Sequence, residues 1–354
     1  MVIVPHVSIY PDKLCLWNSF EDCRRKERNM YGLKENNPNA ALSQKGSKSL
    51  RTAIAWLCHL AKLQEVNDGR LSKKIKFTLN FITLSLPSPQ IKYYQLPCGK
   101  KLYGPDFKKF FPAANLQFGK FEYFYNDKWI KSNLLNQFLT ELRQKFKAVN
   151  YVWKAETQAN GNIHFHITLN KYIYQGDLRT MWNRILDKTD FIKRYSDKFS
   201  KMSFEQYYEY RNQFYSVNYK KCLKAWEKGT MEHWLNPNST DVHSVRQIRD
   251  IGAYLSKYFV KKENKRRYVT GFLWRLSFQL SKFKCACTSY GSRIDSELSY
   301  LKKIFPKKFK EYDWRNILYV KIKDVFELIP NSMIVQYFSD YVNKILYPNQ
   351  LKIN

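Results

Sequence analysis

The chain has 354 residues, 44 % of them hydrophobic, enough for one large domain with attachments or for two domains. Sixty-one Lys and Arg stand against thirty Asp and Glu, a formal net charge of +31, so the expected partner is a polyanion that screens the self-repulsion. There is no run of 18 or more apolar residues and no basic-then-apolar leader in MVIVPHVSIYPDK, which argues against a membrane role and for the cytoplasm.

Residues 1–46 read as irregular, with Pro5, Pro11 and the NNPNA stretch at 36–40. A first helix is predicted from about Ser47, a plausible N-cap, through Leu63, because Leu50, Ile54, Leu57 and Leu60 repeat with helical period. Lys48 and Arg51 would oppose the helix dipole in its first turn, unless that end faces DNA. Lys74–Pro87 (KIKFTLNFITLSLP) reads as one buried strand ended by proline, followed by a loop over 88–106 and aromatic sequence to about 130. Leu134–Phe146 carries an apolar stripe at helical spacing. Tyr151–Glu156 and Ile163–Leu169 read as two strands joined at Asn160-Gly161, a strong hairpin signal. Helices are predicted over 177–194 and 203–228, a strand over Asp241–Val245, and a helix over Gln247–Lys262. The Tyr-rich 203–228 stretch suits either a base-stacking surface or an ordinary buried helix. From Arg275 onward further strand and helix are expected. The domain reading is an accessory helical region over 1–70, a main domain over 71–275 with a Tyr/Lys-rich insertion at about 196–235, and an extension over 276–354.

Seven cysteines without regular spacing argue against a disulfide framework, and Cys285 and Cys287 read as core thiols rather than half of a zinc site. The 26 Tyr and 24 Phe lie among lysines, a mixture in which rings stack on bases while ammonium groups follow phosphates, as single-stranded nucleic acid requires. An AT-rich coding sequence also enriches Lys, Asn, Tyr, Phe and Ile, but it does not produce a shortage of acids. No G-x-x-x-x-G-K-[ST] loop occurs, so a fused P-loop motor is not expected.

The chemistry concentrates in two places. On the returning strand, His164 and His166 flank Phe165, so both imidazoles point to one face and Phe165 to the other. Glu156 lies on the partner strand, and pairing across the turn brings it beside them, laterally or diagonally. Two imidazoles and a carboxylate with positions left open suit Mg²⁺ or Mn²⁺ that must also accept a phosphate oxygen. An H-x-H pair alone is often incidental. The second place is Tyr254-Leu255-Ser256-Lys257-Tyr258, where the two tyrosines share a helix face at i and i+4 and Lys257 borders it. A tyrosine attacking phosphate gives an ester that stays reactive, and a cation and an ammonium offset its high pKa of about 10. The bland alternative is an amphipathic helix resting two tyrosines on a sheet.

FITLSLP (81–87), GNIHFHITL (161–169) and AYLSKYFVKK (253–262) together resemble the three ordered motifs of the HUH endonucleases, specifically rolling-circle replication initiators (Rep proteins) of the two-tyrosine type. The surrounding segments YVWKAETQANGNIHFHI, NPNSTDVHSV and TGFLWRLS are similar to initiators of small elements in Bacteroidota, and the resemblance spans roughly 75–275. It implies an α+β fold in which a central antiparallel sheet carries the metal pair, with flanking helices, an N-terminal helical segment and a C-terminal extension. It implies His164, His166 and Glu156 as metal ligands, Tyr254 as primary nucleophile, Lys257 as a positioning cation, and Tyr258 as a second nucleophile. The expected activity is nicking and joining of single-stranded origin DNA, with a host helicase and polymerase as partners. A transposase or relaxase of the same superfamily, or a non-catalytic single-strand binder, are the alternatives. Lys261, Lys262, Lys265, Arg266 and Arg267 are expected phosphate contacts beside the nucleophile helix. His59 reads as a core residue, and His243 as a packing or surface residue near the third motif.

Overall fold

The computed structural model describes residues 3–20, 44–61, 64–68, 73–77, 79–103, 120–158, 160–213, 216–245, 267, 269–312 and 315–348. The fold is α+β, built on antiparallel sheets. The sheet that matters most is five-stranded. Its strands are β5 (Leu79–Leu84), β9 (Tyr151–Thr157), β10 (Ile163–Leu169), β11 (Thr240–Val245) and β12 (Trp274–Leu276), in the order β11-β5-β10-β9-β12.

Strand β10 runs over the residues expected for the returning strand, and β9 extends one residue beyond the expected one. The turn between them places Gly161 at φ +83°, a left-handed conformation that glycine adopts without a Cβ penalty. Period-two alternation then sorts the side chains. Ile163, Phe165, Ile167 and Leu169 are fully buried on one face. That face lies beneath α2 (Asn136–Phe146) and α3 (Gln175–Leu186), where Phe138 meets Trp182 edge-on and Trp182 Nε1 donates to the Ser85 carbonyl. A turn at Asp127–Trp129 and a π-helical turn at Ile130–Leu135 lead into α2.

The sequence-predicted helices at 177–194 and 203–228 each divide. Besides α3, there are α4 (Phe191–Phe199), α5 (Phe204–Asn212) and α6 (Tyr219–Met231). Ser203 makes a capping box with Gln206, and Asn218 caps α6, so local side chains restart each helix. These helices close a separate small core of Phe199, Tyr207, Cys222 and Trp234. Tyr207 is therefore buried while Tyr219 is exposed, so the Tyr-rich stretch divides between packing and surface.

The N-terminal part corrects the sequence reading. Residues expected to be irregular form a hairpin of β1 (Ile3–Tyr10) and β2 (Lys13–Phe20), and the predicted loop at 88–106 contains β6 (Ile91–Gln95) and β7 (Lys101–Leu102), paired with β8 (Lys120–Tyr123). The single strand expected over 74–87 is instead β5 plus β4 (Lys73–Phe77), which pairs with β3 (Gln64–Asp68). Helix α1 begins at Gln44 rather than after Ser47, and runs to Leu60.

The β1–β2 hairpin joins β13 (Ala286–Ser289), β14 (Phe309–Tyr312) and β15 (Arg315–Leu318) in a second five-stranded sheet, ordered β13-β1-β2-β15-β14. This terminal sheet crosses the boundaries drawn at 70 and 275. Its inner face (Val7, Ile9, Leu14, Leu16, Ala286, Leu318) shares a hydrophobic core with α1, α8 (Ser292–Ile304), α9 (Ile322–Leu328) and α10 (Met333–Leu346). Trp56 of α1 sits at the junction, stacked on Phe338 and donating to the Lys284 carbonyl. A short α7 (Phe278–Ser281) completes the order between β12 and β13.

Candidate metal centre

In the β9–β10 register, His164 stands directly opposite Glu156 and His166 opposite Lys154. Opposed residues share a face, so four functional side chains converge there. Glu156 Oε2 lies 3.6 Å from His164 Nε2 and 3.5 Å from His166 Nε2. One ligand atom from each of the three can be chosen so that all lie within 4.8 Å of one another. Metal–ligand bonds of about 2.1 Å place neighbouring ligand atoms roughly 3.0–3.5 Å apart, so small adjustments would close this set on an ion. The structure brings together the three residues that the sequence offered for this purpose.

The local chemistry favours a cation. Both ring nitrogens of His164 are buried and have no hydrogen-bond partner among the described residues, so either can offer its lone pair to a cation. Burial holds the His166 imidazole below its ordinary pKa range, with Glu156 pulling the other way, so the ring stays in the neutral form that coordinates metal. Thr83 Oγ1 lies 3.1 Å from His166 Nδ1. A proton on Nδ1 donated to that hydroxyl leaves the Nε2 lone pair toward Glu156. Phe81 stacks on the ring, with centroids 5.3 Å apart.

Two residues of this face had no assigned role in the sequence reading. Thr83 comes from the FITLSLP motif and faces His166 in the β5–β10 register. Lys154 is buried, and its ammonium pairs with Glu156 Oε1, leaving Oε2 to the histidines. The signal for Lys154 was its position two residues before Glu156, in phase with it along the strand.

The hairpin turn is held from outside the sheet. Arg267 is buried and forms a two-pronged bond with Asp127, both contacts at 2.8 Å, while its Nε donates to the Gly161 carbonyl at 2.5 Å. Gln90 extends the network by donating to Asp127 and by accepting from the Ile163 amide. Burial alone would raise the Asp127 pKa, but the Arg267 hydrogen bonds and charge, with the Thr270 amide, outweigh it and hold the carboxyl ionised. This corrects the expectation for Arg267: it is a buried counter-ion that fixes the β9–β10 hairpin, not a phosphate contact. Nearby, Lys131 donates to the carbonyls of Thr270 and Phe272, and burial brings its pKa down to about 8.

Tyr254, Lys257, Tyr258, Lys261, Lys262, Lys265 and Arg266 lie outside the described residues, as does the helix expected over 247–262. The described chain stops at Val245, paired with Leu79 at one end of the central sheet, and resumes at Arg267, bonded to Gly161 at the hairpin turn.

Residues 121–263 match a family of replication-associated proteins, the one that includes the ORF2 type. The matched stretch contains Glu156, His164 and His166, and it also contains Tyr254 and Tyr258. The match supports a replication initiator of the Rep type. No curated protein and no solved structure matches the chain. Among the described residues, no helix is long and apolar enough to cross a membrane.

Proposed function

We propose that this protein is a metal-dependent endonuclease that nicks and rejoins single-stranded DNA at a replication origin, using a tyrosine as nucleophile. The observation that carries the reading is the Glu156–His164–His166 group on one hairpin, lying within a segment similar to replication-associated proteins. The divalent ion, Mg²⁺ or Mn²⁺, supplies Lewis-acid stabilisation of charge on the scissile phosphate when bound.

The protein's own side chains do the rest. Glu156, His164 and His166 hold the ion, and Thr83 fixes the His166 ring. Tyr254 is the primary nucleophile: its oxygen forms a bond to phosphorus as the bond from phosphorus to the 3′ oxygen breaks. The product is a 5′-phosphotyrosyl link and a free 3′-OH, which takes up a proton and serves as primer. Because one ester replaces another, the step needs no nucleotide cofactor and can run backward to reseal the strand. Lys257 offsets the charge of the phenolate, and Tyr258 accepts the strand in a second transfer. Lys261, Lys262, Lys265 and Arg266 track the phosphates. Unwinding is left to a helicase of the host.

The test is cleavage of labelled single-stranded oligonucleotides tiling the DNA beside the gene, with Mn²⁺ or with EDTA. The wild type yields a covalent adduct detectable by mass only when metal is present. Tyr254→Phe loses most of the initial nick, and Tyr258→Phe mainly loses strand transfer. Full cleavage by the double variant would remove the tyrosine assignment, and retarded but intact DNA under every condition would leave only a binding protein.

A further inference from the structure

The terminal sheet has one face in the core and one face outside it. Alternation along β1, β2, β13, β14 and β15 sends Val7, Ile9, Leu14, Leu16, Ala286 and Leu318 inward. The other face therefore carries three parallel rows across the strands. The registers His6↔Ser289, His6↔Trp17 and Tyr312↔Arg315 give a first row containing His6, Trp17, Arg315 and Tyr312. Cys287↔Ser8, Ser8↔Cys15, Cys15↔Ile317 and Ile317↔Lys310 give a middle row of mostly small residues. Tyr10↔Lys13 gives the third row, which continues to Tyr319, whose amide bonds the Lys308 carbonyl.

The middle row forms the floor of a shallow trough that the outer rows partly roof: Ser8, Cys15 and Ile317 are buried, and Trp17 Nε1 reaches over to donate to Ser8 Oγ. The outer rows lie four residues apart along each strand, about 13 Å at the usual strand rise. His6 stacks flat on Trp17, with centroids 4.3 Å apart and planes 13° from parallel. Each tyrosine on the ridges has a cation over its ring: Lys13 over Tyr10 at 4.9 Å, Arg315 over Tyr312 at 5.8 Å, and Lys310 over Tyr319 at 5.9 Å. Burial, and after it the neighbouring Tyr312 hydroxyl, push the Tyr319 phenol up, so the two side chains approach each other at one end of the trough. These two are still 45 % and 41 % exposed, too open for rings placed only to build a core. Asp12 lies 3.5 Å from Lys13 at the edge of the trough, against four cations (Lys13, Lys308, Lys310 and Arg315).

We infer that this outer face of the terminal sheet is a second binding surface for single-stranded DNA, separate from the metal hairpin. Planar rings on a sheet face accept bases of any sequence, and interleaved cations accept the phosphates between them, so the positive face is complementary to that ligand. A duplex hides its bases and cannot use the rings. The surface would hold an unwound strand while the hairpin site acts on another part of it. It does not require the tyrosine chemistry, so it stands or falls independently of the nicking reaction.

The experiment is fluorescence anisotropy of a labelled oligo(dT) with the full chain in EDTA, which removes any contribution of a metal-bridged phosphate. Stacking contributes about 1–3 kcal/mol per base, so Tyr312→Ala and Tyr319→Ala together should weaken binding at least fivefold. Lys310→Glu should weaken it further and flatten the dependence of log affinity on log salt. Tyr312→Phe with Tyr319→Phe keeps the rings and should bind as the wild type does. All three positions are exposed, and Mn²⁺ affinity measured on the same variants should be unchanged, showing that the hairpin remains folded. Unchanged oligo(dT) affinity in the combined Tyr312→Ala, Tyr319→Ala and Lys310→Glu variant overturns the inference. Equal loss of affinity for a duplex of the same length overturns the single-strand assignment.

Discussion

Thr83→Val would test whether the metal face is organised as described, because it keeps the shape of a β-strand side chain and removes one hydroxyl. That hydroxyl stands 3.1 Å from His166 Nδ1, and the ring it orients presents Nε2 to Glu156 at 3.5 Å. Removing an outer partner of a ligating histidine typically weakens metal binding about 10–100-fold, or roughly 1.4–2.7 kcal/mol. Without metal, the cost is one lost hydrogen bond to a buried nitrogen, about 1 kcal/mol. The two costs separate in unfolding experiments. With Mn²⁺ at a hundred times the wild-type Kd, bound metal adds about 2.7 kcal/mol to wild-type stability, and a tenfold weaker variant gains only about 1.4. The stability gap between wild type and variant should therefore widen from about 1 kcal/mol in EDTA to about 2.3 with Mn²⁺. Urea unfolding with and without metal measures both gaps, and calorimetric titration gives Kd directly. A Kd within threefold of wild type would refute the reasoning, and would assign the ring's orientation to the Phe81 stack instead.

Lys154→Met removes an ammonium that shares Glu156 with the proposed ion, so Mn²⁺ affinity should rise about tenfold or more; unchanged or weaker binding by titration would show that Lys154 assists the metal. In EDTA the same variant should be less stable than wild type, since Glu156 keeps its charge and loses its partner. Asp127→Asn strips the buried Arg267 of its counter-ion and should cost about 3–5 kcal/mol in urea unfolding. Arg267→Gln should also destabilise, yet leave the salt dependence of oligonucleotide binding unchanged; a slope smaller by about one would restore it as a phosphate contact. Burial lowers the pKa values of His59 and His166 below those of the unfolded chain. The unfolded state therefore binds more protons under about pH 6.5, and metal-free stability should fall as pH drops through that window. His59→Phe should make the fall shallower in melts at pH 5–8.

The metal hairpin was legible because every relation in it is local. Strand alternation puts His164 and His166 on one face, Asn160-Gly161 dictates the tight turn, and the turn fixes which residue of β9 meets which of β10. The same logic reaches Lys154, since a residue two before Glu156 must share its face, although lysine is ordinarily a surface residue. Arg267 failed for the opposite reason. In KKENKRR it reads as one more phosphate-contacting cation, and only the distant Asp127, brought beside the turn by the run into α2, makes it a buried ion pair. The N-terminal hairpin failed for a third reason. VPHVSIY and KLCLWNS alternate as strands should, but Pro5 and Pro11 suggested irregular chain, and the pairing partners lie some 280 to 300 residues away at 286–289 and 315–318. Pro11 in fact sits in the turn, where a missing amide costs nothing, and its carbonyl accepts from Ile322. Lys154 apart, the residues missed have partners far off in sequence, and both the clamp on the β9–β10 hairpin and the aromatic trough are made of them. A reading limited to motifs therefore finds where the phosphate would react and overlooks what holds that hairpin in place and what would hold the strand.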